Sequence, residues 1–259
     1  MKQIIAILIT LGLLMTYENA FSQSGLLLGA RGGASLAKLK GTGDFLNSDA
    51  TSSRVVRYQG GVDVGFQFGS LSVMTGVRYL QRGVKTSENR DDPNGKSWIT
   101  PDGRIDVGER IFTSKFSLIG FPLLARYRLG SGPVQFGLAL GPQFNIGIGQ
   151  VTEIYEDNFL NTGLTVNEYT YDFGKAGDNL LKKSNVSFVF MPEVAFVVSP
   201  SGIFKVNLIL ESSGDMLNKS YLVDSGNGAR KVNGSIKSNA FALEVGYEHR
   251  LNFNIGIKY

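Results

Sequence analysis

The sequence has no cysteine among its 259 residues. Disulfide bonds are therefore excluded, and so is the lipid-modified cysteine that anchors a lipoprotein. The fold must be held together by backbone pairing and packing alone.

Histidine is almost as scarce, because His249 is the only one. A metal site built from several histidines cannot form, and there is no cysteine to replace them, so we predict neither a metal nor a cofactor. The sequence also contains no Gly-x-Ser-x-Gly elbow and no phosphate-binding loop. We therefore expect the protein not to be an enzyme.

Long apolar runs are also missing. The run from Ile4 to Met15 is too short to cross a bilayer as a helix, and no later segment approaches about 20 apolar residues. With Lys2 before the run and the small residues Ala20 and Ser22 after it, residues 1–22 are predicted to be a signal peptide, and residues 23–259 the mature domain. Any insertion into a membrane must use strands.

Charge is modest as well. The formal net charge of +4 is spread along the chain, and no dense basic block of the kind that binds a phosphate backbone is present. We therefore expect no nucleic-acid partner.

What the chain does contain is alternation, most clearly at its carboxyl terminus. Side chains of a strand point to opposite faces with period two, so this stretch predicts a sheet with one apolar and one polar face. Phe253, Ile255, Ile257 and Tyr259 are predicted to be the signal that barrel assembly machinery reads during insertion. The odd positions are held by Phe241, Leu243, Val245, Tyr247, Leu251, Phe253, Ile255, Ile257 and Tyr259, interrupted only by His249.

Seven earlier segments alternate in the same way. Together with the last, the predicted strands are about 26–36, 57–68, 71–82, 112–129, 134–148, 186–198, 204–211 and 238–259. Tight links near 69–70, 130–133 and 199–202 alternate with long polar segments at about 38–54, 85–111, 152–185 and 213–237. Short periplasmic turns and long external loops are typical of outer-membrane barrels, whereas a soluble lipocalin-type barrel does not require that asymmetry.

We therefore predict an all-β, antiparallel, up-and-down transmembrane β-barrel in the outer membrane of a Gram-negative bacterium, in contact with outer-membrane lipid. The strand number depends on residues 238–259, which would span about 70 Å if extended at about 3.3 Å per residue. One long strand gives eight strands in total. A turn near His249 that preserves parity is the alternative, and it would lead to ten.

A resemblance to a known family is carried by the fourth and fifth strands. Residues 116–129, FSLIGFPLLARYRL, combine a proline followed by leucines with a basic and aromatic end, and 137–142 form a glycine-rich segment ending in proline. These segments resemble the PorT-like outer-membrane barrel family of Bacteroidetes-type bacteria. The resemblance implies an outer-membrane barrel and association with a secretion system for exported proteins.

The polar face of the strands is predicted to fill the lumen. An eight-stranded barrel is just wide enough for its side chains to fill the interior, and unpaired charges there would be costly. We therefore expect a plugged polar lumen, with a small pore or solute-binding barrel as the alternative. The candidate network consists of Arg31, Asp63, Arg78, Arg82, Arg126, Arg128, Glu193, Glu211 and Glu244.

The third long segment is rich in aromatic residues for a polar external loop. Tyr155, Phe159, Tyr169, Tyr171 and Phe173 are a candidate surface for binding an envelope or secretion protein, although some could simply extend strands above the membrane. An enzyme acting on acyl chains is the weakest alternative, because such enzymes generally rely on a histidine and His249 lies on the apolar, outward parity.

Overall fold

The computed structural model describes residues 24–43, 51–89, 98–99, 105–106, 108–159, 163–173, 181–216, 222–224, 229–231 and 234–253. The predicted signal peptide, residues 1–22, lies outside these ranges, as do Ile255, Ile257 and Tyr259. Among the described residues, no helix is long and apolar enough to cross a bilayer.

Nine long strands form the main antiparallel sheet, and the short strand Thr51–Ser53 joins it by pairing with residues 85–87. Five short strands, Thr51–Ser53, Trp98–Ile99, Ile105–Asp106, Leu222–Asp224 and Ala229–Lys231, lie in the connections between them. The nine are β1 (Ser24–Gly43), β2 (Val55–Phe68), β3 (Leu71–Asn89), β4 (Gly108–Leu129), β5 (Val134–Phe159), β6 (Gly163–Asp172), β7 (Ser184–Val197), β8 (Gly202–Ser213) and β9 (Gly234–Phe253).

Eight of these strands close the ring. They follow one another in the order β1-β2-β3-β4-β5-β7-β8-β9, and β9 pairs back with β1 along its whole length. β6 pairs only with residues 150–159 of β5, beyond the stretch where β5 pairs with β7. The prediction of an all-β, up-and-down barrel with eight strands in the wall is confirmed.

The last strand shows why the count is eight. β9 runs without a register shift from Gly234, opposite Gly43, to Phe253, opposite Ser24. His249 pairs with Leu28 inside this ladder, so the alternative of a turn near His249 is wrong. One strand that starts well above the lipid explains the unbroken parity of the sequence.

In each wall strand, every second side chain points away from the lumen, and we call this set of residues the outward file of the strand. The outward files together form an apolar belt. Large apolar side chains are exposed on every wall strand, with Phe136 60% and Leu243 54% accessible. In β4 the belt runs from Leu129 to Ile119, which matches the roughly 9–11 residues that a tilted strand needs to cross a bilayer. A belt of this extent would be an aggregation surface in water and is the expected outer face of a barrel in lipid.

The outer boundary of this belt is visible in the sequence of each outward file. In β5 the file changes from Ile148 to Gln150, and in β4 it changes from Ile119 to Ser117. The β4–β5 register shifts between Lys115 and Ser117, and Gly149 has the positive φ of 64° that such an irregularity requires. The wall therefore bends where it leaves the lipid.

The third long segment is not the loop predicted at 152–185. β5 continues to Phe159 and the chain returns as β6, so most of that stretch is a two-stranded extension of the wall. The prediction failed because both faces above the membrane meet water, which removes the apolar alternation that marks a strand.

Candidate functional site

The inward files place a buried charge network along the lumen. It contains one more cation than carboxylates, and all of these side chains are at most 7% accessible. The cations are Arg31, Arg78, Arg82, Arg126, Arg128 and Lys205, and the carboxylates are Asp63, Glu193, Glu211, Glu244 and Glu248.

Glu248 organises the part of the network nearest the short turns. Its Oε2 lies 2.6 Å from Arg126 Nη1 and 3.0 Å from Lys205 Nζ, and its Oε1 accepts from Arg128 Nη1 at 3.1 Å. Arg128 also donates through Nη2 to Glu193 Oε1 at 2.6 Å. Three cations thus share two carboxylates at this level.

Glu244 has the same role at the middle level. Its Oε1 lies 2.6 Å from both Arg78 Nη2 and Gln59 Nε2, while Arg31 Nε is 3.4 Å from its Oε2. Arg31 also donates to Asp63 Oδ1 at 2.9 Å. Two cations meet two carboxylates here, so the level is balanced.

Arg82 and Glu211 form the level nearest the outside, with Arg82 Nη2 2.6 Å from Glu211 Oε2. Arg82 Nη1 also donates to Gln59 Oε1 at 3.1 Å. Gln143 links the levels, because it accepts from Arg78 at 3.0 Å and donates to Asn145 at 2.8 Å. Gln59 and Gln143 thus join the middle and outer levels by hydrogen bonds. The Glu248 level meets the middle level through the ion pair between Lys205 Nζ and Asp63 Oδ2, 4.0 Å apart.

Three of the ion pairs cross the lumen. Arg126 and Arg128 in β4 lie four strand positions from Glu248 in β9 in a ring of eight, and Arg82 in β3 lies four positions from Glu211 in β8. Side chains from opposite walls therefore meet in the centre of the barrel, as expected for a barrel of this size.

All nine residues proposed from the sequence lie in this network. Sequence reasoning missed Glu248 and Lys205, together with the amides Gln59 and Gln143. Each has the inward parity of its strand, so parity alone would have found them. Their sharing of partners could not be read from the sequence, because it depends on which strands face each other across the ring.

A few buried polar atoms in the lumen make no hydrogen bond with any described residue. Both amide atoms of Asn207 are among them, as are Asp63 Oδ2 and Glu193 Oε2. Asn207 itself is fully buried and pairs in register with Glu193 on one side and Glu244 on the other. Buried polar groups of this kind usually hold ordered water.

An apolar cluster lies above the charges, at the outer mouth. Backbone hydrogen bonds from Lys182 N to Met216 O, at 2.8 Å, and from Met216 N to Ile236 O, at 2.7 Å, hold the segments that build it. The cluster, called the cap below, consists of Leu80, Phe116, Leu118, Val151, Phe173, Leu181, Met216 and Ile236.

Phe173 belongs to the cap and not to the loop surface predicted from the sequence. It is 8% accessible, and its ring packs edge-on against Phe116 with centroids 6.1 Å apart. The ring also lies over Gly147, whose missing side chain provides the space. Its contribution is to packing, since it is not available to a partner.

Aromatic rings continue above the cap along the β4–β5–β6 sheet. Phe112 lies 5.0 Å from Tyr155, Tyr155 lies 5.7 Å from Tyr169, and Tyr169 stacks on Tyr171 at 6.4 Å. We call these four residues the aromatic strip. The backbone of Phe159 ends β5 opposite Gly108, and its side chain lies outside the described part.

Glu153 sits beside the aromatic strip, in the part of β5 that rises above the lipid. Burial raises the pKa of its carboxyl, and the hydrogen bond from Tyr155 Oη, 3.2 Å away, lowers it in partial compensation. Next along the strand, Arg110 Nη2 donates to Asp157 Oδ2 at 2.8 Å. We call the part of β4, β5 and β6 that rises above the lipid the outer sheet. Its inner face therefore carries charge as well as aromatic rings.

His249 lies on the outward parity near the short turns, half-buried, and its backbone pairs with Leu28 and Gly202. In the part of the chain that the structure describes, no group of three His, Asp or Glu side chains is placed to hold a metal ion.

Comparison with known proteins gives one match that covers the chain. The sequence profile of a family described as "outer membrane protein beta-barrel domain" matches residues 21–259. No curated protein matches the sequence significantly.

Three solved structures resemble the chain over most of its length, all at low identity. Neisserial surface protein A is 10% identical with a TM-score of 0.40, covering 87% of this chain and 97% of its own. OprG from Pseudomonas aeruginosa is 11% identical with a TM-score of 0.44, covering 91% and 100%. The outer membrane protease OmpT from Escherichia coli is 10% identical with a TM-score of 0.43, also covering 91% and 100%.

Proposed function

This chain belongs to the outer membrane protein beta-barrel domain family, and on that premise we propose that it is a closed, non-catalytic barrel that serves as a binding protein of the cell envelope. Its lumen is plugged, and its outer sheet carries the binding surface. The observation that carries this proposal is that the ion pairs Arg126–Glu248 and Arg82–Glu211 join opposite walls of the barrel.

The closed lumen is supported at several depths. Three levels of paired charge follow one another along the axis, and the cap lies above them. A solute would have to separate Arg126 from Glu248 and Arg82 from Glu211, and each separation would leave charges without partners in a poorly hydrated interior. That cost is several kcal/mol for each ion.

The absence of catalysis is supported by how the carboxylates are used. Glu193, Glu211, Glu244 and Glu248 each accept a hydrogen bond from arginine, so all four carboxylates are engaged in the charge network of the lumen. His249 lies on the opposite face of the wall from all of them. No nucleophile–base pair is therefore formed by these residues.

The outer sheet is the part most suited to a protein partner. The aromatic strip presents rings of the type that concentrate binding energy in interfaces, and Tyr169 is 48% accessible. The resemblance of residues 116–129 to the PorT-like family supports a partner in a secretion or envelope assembly.

Export and insertion complete the proposal. Residues 1–22 would direct the chain across the inner membrane, and Phe253, Ile255, Ile257 and Tyr259 would be read by the barrel assembly machinery. The belt would then contact outer-membrane lipid, and no contact with nucleic acid is proposed.

The test is photo-crosslinking in intact cells. A photoreactive residue at Tyr169 should give one defined adduct with an envelope protein, and Tyr155→Ala in the same chain should abolish it. The same probe at Lys237, which is exposed near the outer boundary of β9, is the matched control. Absence of a protein adduct at Tyr155, Tyr169 and Tyr171 alike would contradict the binding role.

A small pore or solute-binding barrel is the second candidate, favoured by one observation. Asn207, Asp63 and Glu193 keep buried polar atoms that make no hydrogen bond with a described residue in mid-lumen, where water or a small solute would be accommodated. Steady single-channel openings in planar bilayers, with an ion selectivity changed by Arg78→Gln or Arg126→Gln, would support it. A closed barrel shows no steady openings.

A further inference from the structure

Two cations border one groove on the outer face of the wall, Lys38 and Arg54. Ala37 and Val55 form the last pair of the β1–β2 ladder, and the two cations are the residues just beyond it on the two segments. Lys38 has the outward parity of β1, Arg54 is exposed immediately before β2 begins, and neither makes a hydrogen bond or an ion pair with a described residue. Like charges that border one site are unfavourable unless a third group neutralises them.

The residues around the two cations form two parallel rows across four strands. The row just below, within the lipid belt, consists of Leu210, Phe241, Leu36 and Val56, each paired in register with the next. In the row of the cations, Ser212 pairs with Asn239, and Asn239 pairs with Lys38. Ser212 Oγ donates to Asn239 Oδ1 at 3.0 Å, which leaves the Asn239 amide nitrogen as a further donor.

A groove of about 450 Å³ connects the two rows, within the range of about 300–1,000 Å³ typical of ligand sites. Its apolar part includes Leu36, Phe188, Leu210 and Phe241, and its outer end includes Lys38 and Arg54. Glu211 also borders the groove, but its carboxylate is turned inward to Arg82. The charged end of the groove is therefore cationic.

The position of the pair matters as much as its charge. Lys38 and Arg54 lie where the outward files pass from apolar to polar. At the corresponding boundary on other strands the residues are neutral: Gln81 in β3, Ser117 in β4 and Gln150 in β5. The first polar residue beyond the belt is thus cationic in β1 and just before β2 and neutral in β3, β4 and β5, where the cations Lys85 and Lys115 lie further from the belt.

We propose that this groove binds a phosphorylated lipid of the outer leaflet. Lys38 and Arg54 hold the phosphate, the Asn239 amide donates to it, and the acyl chains lie along Leu36, Phe188, Leu210 and Phe241. Because the apolar part lies within the lipid belt, its occupant must come from the bilayer. The proposal concerns the outside of the wall and does not depend on whether the lumen is closed or the outer sheet binds a protein.

The experiment uses the barrel extracted from outer membranes into a nonionic, phosphate-free detergent. Bisphosphorylated lipid A and the same lipid with both phosphates removed are titrated separately, and bound lipid is counted by native mass spectrometry. The phosphorylated form should bind at a stoichiometry of about one. Its affinity should fall about fivefold in Lys38→Gln and in Arg54→Gln, and roughly 25-fold in the double variant. Lys115→Gln, an exposed cation on the β4 face, is the matched control and should leave binding unchanged.

A second measurement separates loss of the site from loss of the fold. Without lipid, Lys38→Gln should raise the temperature at which the barrel loses its fast electrophoretic mobility, because it removes the repulsion from Arg54. With lipid A present, the wild type should be the more heat-resistant of the two. Equal binding of the phosphorylated and dephosphorylated lipids, or unchanged affinity in the double variant, would overturn the proposal.

Discussion

Arg126 and Glu248 form a two-point ion pair across the barrel, with Nη1 2.6 Å from Oε2 and Nη2 3.2 Å from Oε1. The two residues belong to strands on opposite sides of the ring, so their contact spans the lumen. Glu248 also pairs with Arg128 and Lys205. Its loss would leave Arg126 and Arg128 sharing Glu193, and Lys205 with only Asp63 at 4.0 Å.

We therefore predict that Glu248→Gln lowers the free energy of unfolding by about 3–5 kcal/mol, the cost of breaking a buried pair from one side. The measurement is urea unfolding of the barrel in detergent or vesicles. Glu168→Gln, an exposed change on β6, is the control and should shift stability by less than about 0.5 kcal/mol.

The excess cation in the lumen predicts a compensating variant. Lys205 is fully buried and bonds to Glu248 at 3.0 Å, so removing it should cost less than removing Glu248. The double variant Glu248→Gln/Lys205→Met should recover part of the loss, because it restores the original excess of one positive charge. Additive effects of the two changes would show that the residues do not share one network.

The belt leads to a prediction about the outside of the wall. Leu243 is 54% accessible and pairs with Ala34 and Leu208 near the middle of the belt. Leu243→Arg should lower stability by about 2–4 kcal/mol in lipid vesicles, the cost found for arginine at the bilayer midplane. Lys237→Arg, at the polar boundary of the same strand, should be neutral. A neutral result for Leu243→Arg would indicate that this face meets water.

The alternation of apolar and polar residues predicted the wall strands because contact with lipid on one face imposes that alternation. Each wall strand has lipid on one side and the lumen on the other, so inward residues such as Arg78 and outward residues such as Val77 separate cleanly by parity. Above the membrane that contrast disappears, so the sequence of β6, where Leu164 is 69% accessible, predicts a loop although the segment is a strand. Which residues form ion pairs in the lumen, such as Arg82 with Glu211, depends on which strands face each other across the ring. The sequence pattern therefore could not predict these pairs.

The packing of Phe173 over Gly147 predicts an effect of a single methyl group. A Cβ at position 147 would lie 2.6 Å from the Phe173 ring, so Gly147→Ala should displace the ring and loosen the cap by about 1–3 kcal/mol. Amide hydrogen exchange of Lys182, whose N–H bonds to Met216 O, should accelerate accordingly.

Two controls isolate this effect. Gly132→Ala, in the short turn between β4 and β5, meets no atom within 4 Å and should leave the exchange of Lys182 unchanged. In a chain that already carries Phe173→Ala, the further change Gly147→Ala should cost little, because the ring it would meet is gone. A full additional loss there would locate the strain in the backbone instead.

Glu153 predicts how the outer sheet responds to pH. Burial raises the pKa of its carboxyl in the folded protein above the usual value of about 4.3 in the unfolded chain. The unfolded state therefore loses this proton first as the pH rises, so the group's contribution to folding is complete below the unfolded pKa. This stabilising contribution falls as the pH rises from there through the folded pKa.

Glu153→Gln should remove this pH dependence and make the sheet more stable than wild type at neutral pH. Hydrogen exchange of the β5–β6 ladder between pH 4 and 7, with Glu168→Gln as the exposed control, measures the difference, and identical pH profiles for wild type and Glu153→Gln would show that the carboxyl is solvated.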